Sequence, residues 1–182
     1  GEDVGQDGGV FRVTDGLLDT YGERRVIDTP LAESGIVGTA IGMAMAGLRP
    51  VAEMQFSGFS YIAIPQLEAN ASRMRGRTFG TWTVPMVLRM PYGGAVRALE
   101  HHSESREAMF AHIPGVKVVI PSGPRNARAL LVAAIRDPDP VVFMEPKRSY
   151  RAFKEEVPEV PEAIEIGKAQ IVKEGADITL VA

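Results

Sequence analysis

The amino-acid sequence predicts an α/β domain built on a parallel sheet with helices on both faces. Short runs rich in β-branched residues alternate with segments of helical periodicity, and this alternation is typical of strands joined by helical crossovers. The 182 residues are 45% hydrophobic and 24% charged, a composition that can bury one core of ordinary domain size.

The elements follow one another in a regular order. The predicted strands are "RVID" (25–28), "RPVAEMQ" (49–55), "PMVLRM" (85–90), "VKVVIP" (116–121) and "VVFMEP" (141–146). The predicted helices are "SGIVGTAIGMAMAG" (34–47), "PQLEANASRMR" (65–75), "SREAMFAH" (105–112) and "PRNARALLVAAIRD" (124–137). Pro65 and Pro124 suit first helical turns, where the N–H that proline lacks has no partner. The second helix should therefore begin near Ile64.

The composition changes after residue 145, which we take as the end of the first domain. Residues 146–166 carry many charges and spaced prolines, a pattern that predicts an extended connector. Residues 167–182 contain two strand-like runs around Glu174 and Gly175, which predicts the first hairpin of a further domain. Because both ends of the sequence are abrupt, we expect the chain to be a fragment of a longer protein.

Charge and residue usage disfavour several classes of protein. The net charge is -3 and the charges are interspersed, so no nucleic-acid partner is expected. No apolar run approaches the roughly 18 residues of a membrane span, so no membrane partner is expected either. The sequence contains no cysteine, which rules out disulfides and thiolate metal sites in this chain and agrees with a cytoplasmic location.

Three glycines share one face of the first predicted helix. Gly35, Gly38 and Gly42 are spaced by three and four residues, and each glycine destabilises a helix interior by up to about 1 kcal/mol. Close approach of another helix or of a ligand would explain them, although plain helix packing is an equal alternative. The spacing matches neither the dinucleotide-binding nor the P-loop pattern. Glu33, just before this helix, can be explained by the helix dipole alone.

All three histidines lie between residues 100 and 112, as His101, His102 and His112. Glutamates stand among them, so a metal site, an acid–base centre and a polar loop are all conceivable. A histidine metalloenzyme is the weakest of the three, because adjacent side chains such as His101 and His102 rarely converge on one ion.

Several motifs together resemble a known family. The chain is similar throughout to the beta subunit of the thiamine-diphosphate-dependent 2-oxo acid dehydrogenases, the decarboxylating component of the pyruvate and branched-chain complexes. The resemblance implies the transketolase-like, pyrimidine-binding fold, with the family's first strand and helix upstream of Gly1. The motifs are "GEDVG", "GGVFRVTDGL", "DTPLAESGIVGTAIGMAMAGLRPVAEMQF", "HHSES", "FAHIPGVKVVIPS", "AIRDPDPVVFMEPK" and "GKAQIVKEGADITLVA".

The resemblance implies a pyrimidine-binding site. Glu33 matches the glutamate that meets a ring nitrogen of the aminopyrimidine in the family and stabilises the tautomer that activates the thiazolium carbon. Phe59 matches the aromatic residue that packs on the pyrimidine, and Leu31 and Gln55 match other residues that line the same site.

The resemblance also implies roles outside the pyrimidine site. His102 matches a histidine that faces the active centre, while His112 is expected at a helix end, where it would satisfy carbonyls. Relatives bind a monovalent cation, K⁺, through backbone carbonyls that correspond here to the region of Ala134 and Asp137. Unpaired carbonyls at the negative end of a helix could bind a cation, although an ordinary helix end before a proline is an equal alternative.

The implied protein is an enzyme subunit that is incomplete alone. In the family an alpha subunit holds the diphosphate and Mg²⁺ in an alpha2beta2 heterotetramer, and the acyl group passes to a lipoyl-bearing acyltransferase core. Gly58, Pro65 and Glu104 differ from the commoner residues of the family, so the particular 2-oxo acid is not assigned. The alternatives are a transketolase or deoxyxylulose-phosphate synthase domain and a non-catalytic assembly module that pairs through the glycine helix.

Overall fold

A four-stranded parallel sheet forms the centre of the computed structural model, which describes residues 1–94 and 96–181. The spatial order of the strands is β1-β2-β4-β3, with Val51, Val87, Val141 and Lys117 in register. The strands are β1 (Val51–Glu53), β2 (Val87–Tyr92), β3 (Lys117–Val119) and β4 (Val141–Pro146). Four of the five predicted strands are therefore confirmed, as is the parallel arrangement.

All four predicted helices form. The α-helices are α1 (Leu17–Tyr21), α2 (Glu33–Met45), α3 (Ile64–Gln66), α4 (Met74–Arg77), α5 (Glu107–Ala111) and α6 (Pro124–Arg136). The predicted helix 65–75 begins at Ile64 as expected, but a π-helical turn at Leu67–Ala71 separates α3 from α4. Short 3₁₀ segments occupy Ser57–Ile62 and Lys147–Ser149. No helix in the described part of the chain is long and apolar enough to cross a bilayer.

Buried apolar side chains cover both faces of the sheet, as the fold class requires. On one face, residues such as Leu88 and Met144 pack with α2, the segment 64–71 and α5. On the other face, Val87, Val141 and Phe143 pack against α6. The alternation along β2 and β4 follows from the two-residue period of a strand.

The predicted strand at 25–28 is wrong. These residues form turns and coil, and the Asp28 carboxylate accepts hydrogen bonds from the backbone N–H groups of Gly5 and Gln6 at 2.6 and 3.0 Å. These bonds hold the pKa of Asp28 below its usual range. A strand needs a neighbour to pair with, and residues 24–27 are not paired with β1, the edge strand on this side; both line a cavity of about 1030 Å³.

The predicted hairpin at 167–182 is also not formed. Residues 167–181 contain turns and bends without a strand, and Ala182, its last residue, lies outside the described residues. Val172 and Leu180 are fully exposed, and a two-stranded hairpin without a further layer is marginally stable at best. Residues 153–158 form neither helix nor strand, and Arg128 of α6 donates hydrogen bonds to the carbonyls of Pro158 and Glu159.

Candidate functional site

Aromatic and basic side chains cluster beyond the carboxyl ends of β1 and β4. We call Phe56, Phe59, His102 and Lys147 the aromatic–histidine cluster. The His102 ring centroid lies 4.5 Å from that of Phe56 and 5.2 Å from that of Phe59, both in edge contacts. The Lys147 ammonium lies 5.1 Å from the Phe56 ring centroid. The carboxyl ends of parallel strands are where α/β folds bind ligands.

His102 is held by its backbone as well as by its ring. Its Nδ1 lies 3.0 Å from the carbonyl oxygen of Glu100, and the Lys147 ammonium donates a hydrogen bond to the carbonyl of His102 itself. Burial lowers the pKa of Lys147. The imidazole is half-buried, so it is positioned by aromatic neighbours and still reaches solvent.

Gly58 allows the loop that carries His102 to approach closely. A Cβ at this position would lie 2.6 Å from the carbonyl carbon of His101 and closer still to its Cα and oxygen. Ser57, one residue earlier, donates a hydrogen bond of 3.1 Å to the carbonyl of Glu104. The segment 57–62 and the histidine loop are therefore packed backbone to backbone.

Glu33 is the first residue of α2 and is 8% exposed. Its Oε2 atom is buried and has no hydrogen-bond partner within residues 1–94 and 96–181. A carboxylate at a helix start is favoured by the dipole, but a buried oxygen without a partner is unfavourable unless a ligand supplies one. Glu33 also helps to raise the pKa of nearby Glu2, after the effects of burial and of Asp3.

The other residues expected at the pyrimidine site are only partly brought together. Phe59 belongs to the aromatic–histidine cluster, whereas Leu31 is 71% exposed and Gln55 donates a 2.9 Å hydrogen bond to Asp3. No hydrogen bond between described residues joins Glu33 to the cluster, although α2 packs against the segment 57–62. Leu31 thus presents an apolar side chain that another surface could cover.

The two remaining histidines lie away from the centre of the cluster. His101 is exposed, has a positive φ of 66° and has its ring centroid 6.0 Å from that of Tyr61. His112 is the C-cap of α5, which confirms the expected helix end, and its backbone N–H donates to the carbonyl of Ala108 at 3.2 Å. Among the described residues, no three His, Asp or Glu side chains are arranged to hold a metal ion.

Side-chain cations meet the end of α6, where a monovalent cation was expected. The Ala134 carbonyl accepts a hydrogen bond from the Asp137 N–H at 3.2 Å. Arg49 donates to the carbonyls of Ile135 and Asp137 at 2.7 and 3.1 Å. The Lys117 ammonium binds both oxygens of the Asp137 carboxylate at 2.8 and 2.7 Å. Arg49 therefore binds carbonyls at the end of the helix, and Lys117 pairs with the neighbouring carboxylate.

A buried ionic network links three strands and was not found from the sequence. Arg89 of β2 donates two hydrogen bonds to Glu145 of β4, at 3.0 and 2.9 Å, and another to Glu53 of β1. Burial opposes the charge of Arg89, but the two carboxylates raise its pKa. Burial also raises the pKa of Glu53 despite the attraction of Arg89, and burial and Glu145 raise the pKa of Tyr150.

The network adjoins the aromatic–histidine cluster. Tyr150 donates a hydrogen bond to Glu145, and its ring lies 5.3 Å from Phe11, which lies 5.5 Å from Phe56. Charged residues in otherwise apolar strands, with Glu53 paired in register with Arg89, were the sequence signal for it. Lys147, directly after β4, could have been found from its place at the carboxyl end of a strand.

The chain is similar to proteins of a known family. The transketolase pyrimidine-binding domain family matches residues 1–152. The chain is 62% identical over 182 residues to the pyruvate dehydrogenase E1 component subunit beta of Acholeplasma laidlawii. It is 52% identical over 181 residues both to the subunit of that name and to the 2-oxoisovalerate dehydrogenase subunit beta of Bacillus subtilis.

These matches cover the whole chain but 55 to 56% of each relative. The chain therefore spans about half the length of the curated relatives it matches. Among solved structures, a chain described as a split gene transketolase, inactive beta4 tetramer, superposes with a TM-score of 0.64 at 19% identity. That match covers 91% of this chain and 48% of the other, and it supports the fold alone. The chain therefore belongs to the transketolase pyrimidine-binding domain family.

Proposed function

We propose that the chain is the pyrimidine-binding part of the beta subunit of a 2-oxo acid dehydrogenase that uses thiamine diphosphate. The observation that carries the proposal is the buried Glu33 Oε2, which has no partner among the described residues. A ring nitrogen of an aminopyrimidine that shares one proton with the Glu33 carboxyl group would complete the hydrogen bond that this oxygen lacks. The relatives named as pyruvate and 2-oxoisovalerate dehydrogenase beta subunits support the same proposal.

The residues present fit thiamine diphosphate. When bound, the cofactor supplies a carbon nucleophile for attack on the 2-oxo carbon of the substrate. Glu33 holds or moves a proton at the aminopyrimidine nitrogen. Phe59 offers an aromatic face beside His102, whereas Leu31 is exposed and Gln55 is bound to Asp3. We propose that these three residues bind and orient the ring once the site is assembled.

His102 is the proposed second catalytic residue. Its imidazole lies between Phe56 and Phe59 and is half-buried, a position that lets it give or take a proton beside a bound substrate near neutral pH. We propose that it acts during decarboxylation or while the acyl group passes to a lipoyl arm.

The rest of the enzyme is part of the proposal. We assign the diphosphate and Mg²⁺ mainly to an alpha subunit in an alpha2beta2 heterotetramer, and acyl acceptance to a lipoyl-bearing acyltransferase core in the cytoplasm. A K⁺ ion near Ala134 and Asp137 fits less well, because Arg49 already binds the Asp137 carbonyl. No step of the proposed reaction uses that ion.

A reconstitution assay tests the proposed function. The full-length beta subunit, mixed with its alpha partner, thiamine diphosphate and Mg²⁺, should release CO₂ from pyruvate or from 2-oxoisovalerate, and the preferred acid names the substrate. The alpha subunit alone is the control. Failure with both acids, together with transfer of a two-carbon ketol unit from a sugar phosphate, would indicate a transketolase. If the assembly catalysed none of these reactions and did not bind thiamine diphosphate, the chain would be a non-catalytic assembly module.

A further inference from the structure

Lys147 and Gly58 contact consecutive residues of the same loop. Lys147 directly follows β4, and its ammonium donates a hydrogen bond to the carbonyl of His102. Gly58 lies in the 3₁₀ segment after β1, and its Cα faces the backbone of His101. Two consecutive loop residues are thus held through their backbones by parts of the chain about 45 residues away on either side.

We propose that Lys147 is a positioning residue for His102. It acts together with Gly58, whose lack of a side chain lets the histidine loop pack against the segment 57–62. The inference rests on the proposed function, because it assigns Lys147 to the orientation of the His102 imidazole. A charged donor makes a stronger hydrogen bond than a neutral one, and the carbonyl it binds belongs to the histidine itself.

The surroundings of the Lys147 ammonium support this role. The ammonium lies 5.1 Å from the centroid of the Phe56 ring, the same ring that contacts the His102 imidazole at 4.5 Å. Burial lowers the pKa of Lys147, so this cation gives up hydration to lie here. Lys147 is accordingly in contact with both the backbone of His102 and the ring against which its imidazole packs.

Gly58 allows the close contact between the segment 57–62 and the histidine loop. Any Cβ there would overlap the His101 backbone, and backbone cannot move aside as a flexible side chain can. A larger residue at position 58 would therefore push the loop away from the segment 57–62. His102 would move with it, because it is the next residue in the loop, and the hydrogen bond from Lys147 to its carbonyl would be disturbed.

The test uses the full-length subunit assembled with its alpha partner and compares Lys147→Met, Lys147→Arg and Gly58→Ala. Arg148→Met is the matched control, because Arg148 is the adjacent cation and is exposed. Deuterium uptake of a peptide spanning residues 98–104 reports loop order, and titration with thiamine diphosphate reports cofactor binding. Overall turnover reports the chemistry.

Lys147→Met should raise the exchange rate of the loop about 10-fold, as expected for loss of a charge-assisted hydrogen bond. Turnover should fall about 10- to 100-fold, because small displacements of a catalytic group have effects of this size. The Kd for thiamine diphosphate should change less than about 2-fold, since Glu33 and Phe59 are untouched and uniform binding is retained. Lys147→Arg should restore both loop order and turnover, and Gly58→Ala should resemble Lys147→Met.

The outcomes separate this inference from the proposed function. Unchanged deuterium uptake in Lys147→Met would overturn the inference even in an active enzyme. A looser loop with normal turnover would also overturn it, provided that His102→Ala is impaired. If the wild-type assembly fails to decarboxylate any 2-oxo acid, the proposed function fails, while the exchange data still decide whether Lys147 orders the loop.

Discussion

At the scale of single residues, the buried carboxylates differ in whether they have a hydrogen-bond partner. Glu33 has a buried oxygen without a partner among the described residues, whereas the buried carboxylates of Glu53 and Glu145 share the guanidinium of Arg89. A buried polar group is retained without a partner where a ligand completes it and is paired where it serves the fold. Glu104 and Glu107 also have a buried Oε2 without a hydrogen-bond partner among the described residues. It is therefore the position of Glu33 at the start of α2, together with its unpartnered oxygen, that sets it apart from Glu53 and Glu145.

Replacing Glu33 with glutamine should abolish decarboxylation while preserving the fold. The amide is close in size to the carboxyl group but cannot cycle a proton, and loss of such a group lowers rates by about 10²-fold or more. The measurement is CO₂ release by the full-length subunit with its alpha partner, with circular dichroism as the control for folding. Retention of more than half the wild-type rate would contradict the role of Glu33.

The three histidines should differ in what their removal changes. His102→Ala should lower overall turnover by about 10²-fold or more, whereas His112→Ala should mainly reduce stability, by about 0.3–1 kcal/mol for a helix end. His101→Ala should be intermediate, because it disturbs the loop. Turnover and thermal melting on the same preparations test this order. If His101→Ala abolished turnover while His102→Ala kept nearly all of it, the catalytic histidine would be His101 and the assignment of His102 would be wrong.

The raised pKa of Glu53 predicts a pH dependence of stability. Burial outweighs the attraction of Arg89 and raises this pKa, so the folded chain binds a proton at Glu53 more tightly than the unfolded chain. The resulting stabilisation is complete below the ordinary glutamate pKa of about 4.3 and is lost as the pH rises through the raised value. In urea unfolding, the stability of wild type relative to Glu53→Gln should therefore decrease with rising pH. An increase would mean that the ion pair with Arg89 dominates.

At the scale of elements, α2 presents its glycines in the way the sequence suggested. Gly35 and Gly42 are exposed, and Gly38 is half-buried, with the position of its absent Cβ 3.8 Å from the side chain of Gln66. The opposite face of α2 packs on the sheet through Val37, Ile41 and other apolar residues. The glycine face is therefore available for a partner, which agrees with the expectation of a covered face in the assembled protein.

Gly42→Ala tests whether the glycine serves the stability of the helix or its contact with a partner. No atom lies within 4 Å of the position of the added Cβ, so the isolated chain should gain about 0.5–1 kcal/mol of stability. Assembly of the full-length variant with its alpha partner should weaken, as sedimentation can show. Gly115→Ala is the contrasting control, because Gly115 has φ +88° and faces the Ser72 carbonyl. Destabilisation of isolated Gly42→Ala would show that the glycine serves the chain's own packing.

At the scale of the whole molecule, much apolar surface lies outside the two core clusters. The cavity of about 1030 Å³ beside β1 is lined by Val13, Leu17, Tyr21 and Ile27, and all four side chains are at least 38% exposed. Exposed apolar patches of this kind commonly mark surfaces that are covered in an assembly. The architecture thus agrees with a domain that functions as part of something larger.

The 182-residue chain alone should therefore be inactive. It should release no CO₂ from pyruvate or 2-oxoisovalerate with thiamine diphosphate and Mg²⁺ present, and it should bind a fluorescent hydrophobic dye. The full-length subunit with its alpha partner should show the opposite behaviour in both measurements. Decarboxylation by the isolated chain would contradict the proposed division of the site between two subunits.

The sequence by itself determined the order of four strands and their helices, the start of α2 to within one residue, the start of α6 at Pro124, and the family. Periodicity, proline positions and motif spacing are local properties of the chain, so they can be read without the fold. Local propensity was insufficient for residues 25–28 and 167–181, because a strand exists only when another strand pairs with it.

Only the tertiary structure decided which distant residues meet. Three contacts join parts of the chain that are distant in sequence: the hydrogen bond from Lys147 to His102, the approach of Gly58 to His101 and the sharing of Arg89 by two carboxylates. No local pattern encodes such contacts, since they depend on strand order, and β4 lies between β2 and β3. That order brings the end of β4 beside the histidine loop that follows β2, which is why Lys147 reaches His102.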